Sequence, residues 1–397
     1  MRPTAKMPAG TRPEAELLLR SARVVLDDVA VERLLALLQH TLDWVWLLGA
    51  AEQNGMAPLL YWHLNRLAPA AVPGAVLDDL RQRFLANARR TLLLTGELLR
   101  LLPLFAGHGI RAIPFKGPTL AAYAYGNVAL RHFMDLDLLI APADLPRARQ
   151  LLAAEGYRSE LSLAPDQEDA YLASIGQLPF VTEGGTCLVE LHARIAPRAF
   201  HFPLGPERLW ARLRPLSLGG REIHTLAGED LLLVLCAHGA KHLWASLGWV
   251  CDVAELLRAG PAMNWAAVME EARSLRCVRI LLLGLVLAHD LLQAPMPEDL
   301  LGQARTPTLR ALAAQACRQM FLGADSRETR PGADPDVASR ARQEPAASCD
   351  VAERRGVRGL GREPGPSGAV HQPGRETRPV AEHRRWRASV APGGDQP

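Results

Sequence analysis

Two aspartates inside an apolar run constrain this chain more than any other feature of its sequence. The segment from Met134 to Ile140 reads Met-Asp-Leu-Asp-Leu-Leu-Ile. Residues two apart on a strand point to the same side, so Asp135 and Asp137 would converge while the leucines face away. Such a pair is costly to desolvate, and a divalent cation such as Mg²⁺ is its usual partner. A solvated, structural pair at the mouth of a strand is the alternative.

Composition and charge exclude several classes of protein. The most apolar stretch, residues 280–288, is bracketed by Arg279 and Asp290 and is far shorter than the roughly 20 residues of a membrane span. The first sixteen residues mix Arg, Lys, Pro and Glu, unlike a secretory signal, so we expect a cytoplasmic protein. The six cysteines form no Cys-x-x-Cys pair, which argues against a zinc knuckle or a disulfide scaffold.

The periods of the apolar residues divide the chain into regions. A 3.6-residue period predicts an N-terminal helical region over 14–100, with one long helix over 77–105. A mixture of short strands and helices predicts a small α/β core over 101–204 with a mixed sheet, and helical periodicity returns in a C-terminal helical domain over 205–325. We therefore predict an α+β fold.

Within the core, four strands and two helices are expected. The strands are 111–115, 134–140, 178–182 and 186–192, and the helices are 118–125 and 142–155. A Glu-Gly-Gly sequence at 183–185 predicts a hairpin between the last two strands.

The tail over 326–397 has one Leu, no Ile, Phe, Tyr or Met, and abundant Pro, Gly and Arg. This composition predicts disorder, and a frame-shifted end is the alternative. The tail holds 13 arginines and 10 acidic residues, so 32 basic and 32 acidic residues precede it. A neutral folded part argues against a surface that binds nucleic acid.

A glycine turn upstream of the aspartates is the candidate anion site. In Phe115-Lys116-Gly117-Pro118-Thr119, a predicted strand ends in Gly117 and a proline begins the next helix. Glycine lets a phosphate approach the backbone, and the positive end of a helix favours anions. Lys116 adds a charge, although a solvated lysine at a strand end is the plain alternative.

Downstream, Glu190 lies in a further apolar strand, Cys187 to His192. On a neighbouring strand, its carboxylate could reach a metal held by the aspartates. Three carboxylates and a phosphate cradle would form a nucleotide site of the two-metal type. The alternative is a salt bridge between Glu190 and Arg194.

Basic residues elsewhere complete the candidate set. Arg131 could pair with Asp135 or a phosphate, and a structural ion pair is equally plausible. His238 and His242 stand one helical turn apart, but Lys241 beside them would oppose a cation. We predict that this group faces a phosphate or an acceptor, with an ordinary helix face as the alternative. Asp252 is expected to help pack the helices, and to bond a His or Lys.

In combination, these motifs resemble the uncharacterised nucleotidyltransferase family of the polymerase-β-like nucleotidyltransferase superfamily. The resemblance covers roughly residues 14–322. It rests on Lys116-Gly117-Pro118, Arg131, the Asp-Leu-Asp strand, Val189-Glu190-Leu191-His192, His238, Lys241-His242, Trp244 and Asp252.

The resemblance implies roles for these residues. Asp135, Asp137 and Glu190 would be the catalytic and metal-binding carboxylates, with Mg²⁺ or Mn²⁺ as the cofactor. The substrate-binding residues would be Lys116, Gly117, Thr119, Arg131, His192, His238, Lys241 and His242. Gly117 would stand for the glycine of the superfamily's Gly-Ser turn. Pro118 departs from that pattern, so Thr119 or Lys116 would have to replace the serine hydroxyl.

The predicted activity is transfer of a nucleoside monophosphate from an NTP to an unknown small-molecule, sugar or protein acceptor. The alternative is a catalytically inactive nucleotidyltransferase fold that serves as a binding or regulatory module, such as an antitoxin-like one. The Pro118 departure favours the inactive module, and the intact acidic residues favour the enzyme.

Overall fold

A computed structural model of the protein shows a mixed β-sheet covered by helices, in agreement with the strand and helix periods of the apolar residues. The structure describes residues 12–325 except 162, 164, 201 and 261–262. All of these residues belong to one compact unit. The predicted disordered tail, 326–397, lies outside the described residues.

The strands in this part of the chain are β1 (Ala112–Pro114), β2 (Asp135–Ile140), β3 (Tyr157–Ser159), β4 (Gln177–Thr182), β5 (Leu188–His192), β6 (Arg214–Leu218) and β7 (Arg221–Thr225). The α-helices in the same described part are α1 (Pro13–Ser21), α2 (Asp28–Leu37), α3 (Trp44–Gln53), α4 (Ala57–Leu67), α5 (Gly74–Gly107), α6 (Gly117–Leu120), α7 (Leu145–Ala154), α8 (Pro165–Ile175), α9 (Pro206–Trp210), α10 (Gly228–Lys241), α11 (Leu247–Ala259), α12 (Trp265–Ser274), α13 (Val278–Leu292), α14 (Glu298–Ala304) and α15 (Pro307–Asp325).

The main sheet of the described residues has five strands in the order β1-β2-β5-β4-β3. β2 and β5 run parallel, and the other neighbouring pairs are antiparallel. The predicted α+β class and the hairpin between β4 and β5 are therefore confirmed. The parallel pair lies at the centre of the sheet, where its side chains are covered from both faces.

Strand β2 separates two apolar clusters. Leu136 and Leu138 face a cluster that includes Phe105 of α5 and Leu152 of α7. Leu139 points the other way, into a larger cluster formed by the N-terminal and C-terminal helices. Because alternate residues of a strand face opposite sides, Asp135 and Asp137 lie on the side of that larger helical cluster.

One buried amide joins the N-terminal and C-terminal helices. Asn54, at the end of α3, is fully buried. Its side chain accepts a hydrogen bond from the backbone N–H of Leu247 at 2.7 Å and donates to the carbonyl of Met320 at 3.1 Å. Loss of this amide would leave the buried N–H of Leu247, at the start of α11, without its partner.

Some elements differ from the predicted ones. The β6–β7 hairpin lies inside the region predicted as a C-terminal helical domain, and its Gly219-Gly220 turn has positive φ at both glycines. The helical pattern of residues 228–245 predicts a helix that ends at Ala245. Helix α10 ends earlier, at Lys241, because the chain turns left-handed at Leu243 and Trp244. Strand β3 and helix α8 were not predicted.

The predicted division at residues 100 and 101 falls inside α5, which continues from Gly74 to Gly107. The division into domains stays a prediction. Among the described residues, no helix combines the length and apolarity needed to cross a lipid bilayer.

We expect Leu138→Ala to lower the free energy of unfolding by about 2–5 kcal/mol, because it would open a cavity at a fully buried position of β2. Urea denaturation followed by circular dichroism measures this change. Leu92→Ala is the matched control, since Leu92 is 61% exposed on α5 and should change stability by less than about 0.5 kcal/mol. Equal effects of the two variants would contradict the position of the core.

Candidate active site

The parallel pairing of β2 and β5 builds the centre of the site. Asp137 lies directly opposite Glu190 in the register, and Leu139 lies opposite His192. Opposed residues of neighbouring strands share a face, so Asp137, Glu190 and His192 project to the same side of the sheet. The predicted convergence of carboxylates thus involves two strands that are separated by about 50 residues of chain.

The two oxygens of Asp137 have different surroundings. Oδ1 lies 2.7 Å from Nζ of Lys116 and 2.9 Å from Nε2 of His192. Oδ2 is buried and has no hydrogen-bond partner among the described residues. The Asp137 side chain is 1% exposed. An unsatisfied oxygen of a buried carboxylate is costly and marks a place where a cation would be favoured.

Glu190 completes a set of possible metal ligands. Its Oε2 accepts a hydrogen bond from Nε2 of Gln177 at 2.8 Å and lies 3.4 Å from Nε2 of His192. One ligand atom from each of Asp137, Glu190 and His192 lies within 4.8 Å of the others. Carboxylate oxygens are the ligands that suit Mg²⁺ and Mn²⁺, whereas an imidazole nitrogen suits softer ions such as Zn²⁺. Among the described residues, this group does not include Asp135, which lies on the same face at the more exposed end of β2.

The charges of the site act strongly on one another. Burial, followed by the charges of Asp137 and Glu190, raises the pKa of Asp135 to about 7. Burial would also raise the pKa of Asp137, but Lys116 and His192 outweigh it and hold that pKa well below its usual range. The carboxylates raise the pKa of Lys116 although burial opposes this. Lys116 is therefore a buried counter-charge and not a solvated strand end.

His192 and Glu190 are coupled in the same way. Burial works against a charged imidazole, but hydrogen bonds to Asp137 and Glu190 raise the pKa of His192 above its ordinary value. Burial would raise the pKa of Glu190, and the hydrogen bond with His192 lowers it below the usual range. The centre therefore keeps two ionised carboxylates in a buried place.

The predicted glycine turn has a strict steric requirement. Gly117 has φ +51°, and a Cβ on it would lie 3.0 Å from the carbonyl oxygen of Asp135. Pro118 occupies the first turn of α6, and a short π-helix, Ala121–Tyr125, continues it. Thr119 is buried, and its hydroxyl donates to the carbonyl of Lys116 at 2.7 Å. This hydroxyl therefore holds the turn itself.

Arg131 connects the entrance of β2 to the C-terminal helices. Its Nε and Nη2 donate to the two oxygens of Asp252 on α11 at 2.7 and 2.8 Å. The hydroxyl of Tyr125 donates to Asp252 as well, at 2.7 Å. Arg131 thus forms the structural ion pair that the sequence left open, and the partner of Asp252 is an arginine and a tyrosine rather than a His or Lys.

The predicted basic group lies at the end of α10. The ring centroids of His238 and His242 are 4.8 Å apart, and both rings contact Trp249 of α11. Burial, followed by the charge of Lys116, lowers the pKa of His238 well below its ordinary value. His238 therefore stays neutral and adds no positive charge for a phosphate.

Three contacts of the site were not predicted from the sequence. Gln177 bonds Glu190, Tyr125 bonds Asp252, and the ring of Phe115 meets His192 edge-on at 5.1 Å. Gln177 is a polar residue at the first position of β4, and it pairs with His192 in the register. Its polar character at the end of an apolar strand was the sequence signal for this contact. Arg194, the alternative partner of Glu190, donates instead to the carbonyls of Leu172 and Ala173.

Comparison with known proteins adds one match. A family model described as an uncharacterised nucleotidyltransferase matches residues 40–293, which is more than half of the chain. The matched range contains the glycine turn, both aspartates, Glu190 and the end of α10. No curated protein matches the chain significantly.

We expect Gly117→Ala to destabilise the protein by about 1–3 kcal/mol, because the new Cβ would press on the Asp135 carbonyl at a left-handed position. The shift should disturb β2 where Asp135 stands. Thermal unfolding measures the loss.

Gly96→Ala is the control for this substitution. Gly96 lies within α5, and a Cβ there would meet no atom of the described residues within 4 Å. Alanine should stabilise this helical position by up to about 1 kcal/mol. Stabilisation by both substitutions would show that the turn tolerates a side chain.

Proposed function

We propose a function for this chain, which belongs to the uncharacterised nucleotidyltransferase family. In this proposal, the protein transfers a nucleoside monophosphate from an NTP to an acceptor hydroxyl and depends on a divalent cation, Mg²⁺ or Mn²⁺. Oxygen of the acceptor bonds to the α-phosphorus, the bond to the bridging oxygen breaks, and pyrophosphate leaves. The hydroxyl proton passes to solvent.

The observation that carries the proposal is the pairing of Asp137 with Glu190 across β2 and β5. The residues present fit a divalent cation, because Asp137 offers a buried oxygen without a partner among the described residues and Glu190 offers a carboxylate oxygen nearby. Asp137 and Glu190 would hold the ion, with Asp135 beside them at the open end of β2. Once bound, the ion would supply charge stabilisation for the transferring phosphoryl group and a lower pKa for the acceptor hydroxyl.

The other residues of the chain would position the nucleotide. Lys116 lies beside the glycine turn with its ammonium on Asp137, and a triphosphate at this turn would give it a second anionic partner. Arg131 is fixed by Asp252, and its Nη1 is buried without a partner among the described residues. A phosphate oxygen at the entrance of β2 would satisfy this donor. Glu190 would assist on the acceptor side of the ion.

A second candidate function is a nucleotidyltransferase fold without activity that acts as a binding or regulatory module, such as an antitoxin-like one. Two observations favour it. Pro118 supplies no hydroxyl at the turn, and the hydroxyl of Thr119 already donates a hydrogen bond to the Lys116 carbonyl. The Lys116–Asp137 ion pair also neutralises the centre without a metal. Titration calorimetry separates the candidates, because an inactive module should bind NTP weakly or independently of metal.

We expect Asp137→Asn to reduce transfer of label from an α-labelled NTP by at least about 100-fold, because it removes a charged ligand of the cation. The assay incubates the purified protein with each NTP, Mg²⁺ or Mn²⁺ and an extract of its own cells. Labelled product then reports donor and acceptor together.

Asp78→Asn is the matched control, since Asp78 is an exposed aspartate of α5 and its loss should leave transfer unchanged. Circular dichroism checks that both variants fold, and Glu190→Gln repeats the test if Asp137→Asn does not. Full transfer by folded Asp137→Asn would refute the enzymatic proposal.

A further inference from the structure

We propose that His238, His242 and Trp249 form the surface on which the nucleobase of the NTP stacks. The inference rests on the proposed function, because it assigns a substrate contact to the same site. It goes beyond that function by assigning a role to three rings of the C-terminal helices that need not touch the reacting phosphates. We call these three residues the ring surface.

The ring surface is formed by two helices that pack against each other. Its centroids lie 4.8 Å apart between the histidines, 5.5 Å between His238 and Trp249, and 5.1 Å between His242 and Trp249. The planes of His242 and Trp249 are tilted by 35°, whereas His238 stands edge-on, at 60° to His242 and 88° to Trp249. A base would therefore stack on His242 or Trp249, with His238 supporting them from the side. His242 is exposed, and His238 and Trp249 are partly exposed. Part of this aromatic area can therefore contact a planar ligand.

An ion pair fixes the ring surface to the catalytic strands. Trp249 and Asp252 stand three residues apart on α11, so they share a helix face. Asp252 is bound by Arg131 at the entrance of β2 and by Tyr125 at the end of the segment that follows Gly117. The face of α11 that carries Trp249 is therefore the one turned towards the glycine turn and the aspartates.

His238 places the other edge of the surface next to the phosphate cradle. It is close enough to Lys116 and Asp137 for both charges to act on its pKa, which burial lowers first of all. A base stacked on Trp249 would lie on the helix face that Asp252 fixes against Arg131 at the entrance of β2. This placement suits a nucleotide whose triphosphate lies at the turn and whose base extends towards α10 and α11.

The character of the rings favours a base over a phosphate. A neutral imidazole and an indole provide flat π surfaces, and every nucleobase presents a π face to them. The sequence alone favoured a patch that faces a phosphate or an acceptor, and that prediction stays untested. The ring contacts favour stacking as the role of the histidines.

The test compares two kinds of ligand, nucleoside triphosphates and inorganic tripolyphosphate, which differ in whether they carry a nucleoside. Titration calorimetry in Mn²⁺ measures the affinity of the full chain for each of the four NTPs and for inorganic tripolyphosphate. We expect Trp249→Ala to weaken binding of the preferred NTP by roughly 5- to 150-fold, the effect of losing one stacking partner. Affinity for tripolyphosphate should stay within about twofold, and Trp249→Phe should keep most of the NTP affinity.

Trp62→Ala is the matched control, because Trp62 is a partly exposed tryptophan on α4, outside the ring surface. His238→Ala provides a second variant if Trp249→Ala does not fold. Unchanged NTP affinity in the folded variants overturns the ring surface but leaves the proposed function standing. Equal losses for NTP and tripolyphosphate also overturn it. If the wild-type chain binds neither ligand with metal, both proposals fail.

Discussion

A buried cluster of charges on two parallel strands is the interaction on which the rest of the site depends. Asp137 and Glu190 face each other across the β2–β5 pair, where neither carboxylate can be hydrated freely. The ammonium of Lys116 and the imidazole of His192 make their ionisation tolerable. Each group is held in its charge state by the others, so removal of one would leave an unpaired charge in the interior.

The helices that cover this cluster are held in place by a second ion pair. Arg131 is bidentate to Asp252, and Tyr125 shares the same carboxylate. A planar guanidinium with two bonds to one carboxylate fixes direction as well as distance. Helix α11 therefore has a defined position over the entrance of β2, and α10 packs against α11. This arrangement turns two separate helical segments into one wall of the site.

The sequence predicted features that depend on local pattern. The alternation in β2, the glycine turn and the Gly-Gly hairpin at 184–185 are readable because each involves neighbouring residues. Pairings between distant segments were not readable in the same way. The sequence led us to expect the strand of Glu190 beside that of the aspartates, and the pairing of β2 with β5 confirms it. Nothing in the sequence indicates that the two strands run parallel, or that Arg131 selects Asp252 over Asp135. The β6–β7 hairpin had a local signal in Gly219-Gly220, which was missed because the flanking apolar alternation is weak.

The cost of the charge cluster argues for a functional role over a structural one. Gly117 is required by the fold itself, since a Cβ there would lie 3.0 Å from the Asp135 carbonyl oxygen whether or not a nucleotide binds. The fold does not require the buried carboxylates of Asp137 and Glu190 in the same way. Replacing a buried ion pair with apolar side chains is often neutral or stabilising, so a module that needed only its fold would gain from apolar residues at 137 and 190. Two carboxylates at these positions, with one Asp137 oxygen left without a partner among the described residues, fit the proposal that the site binds a cation when it functions.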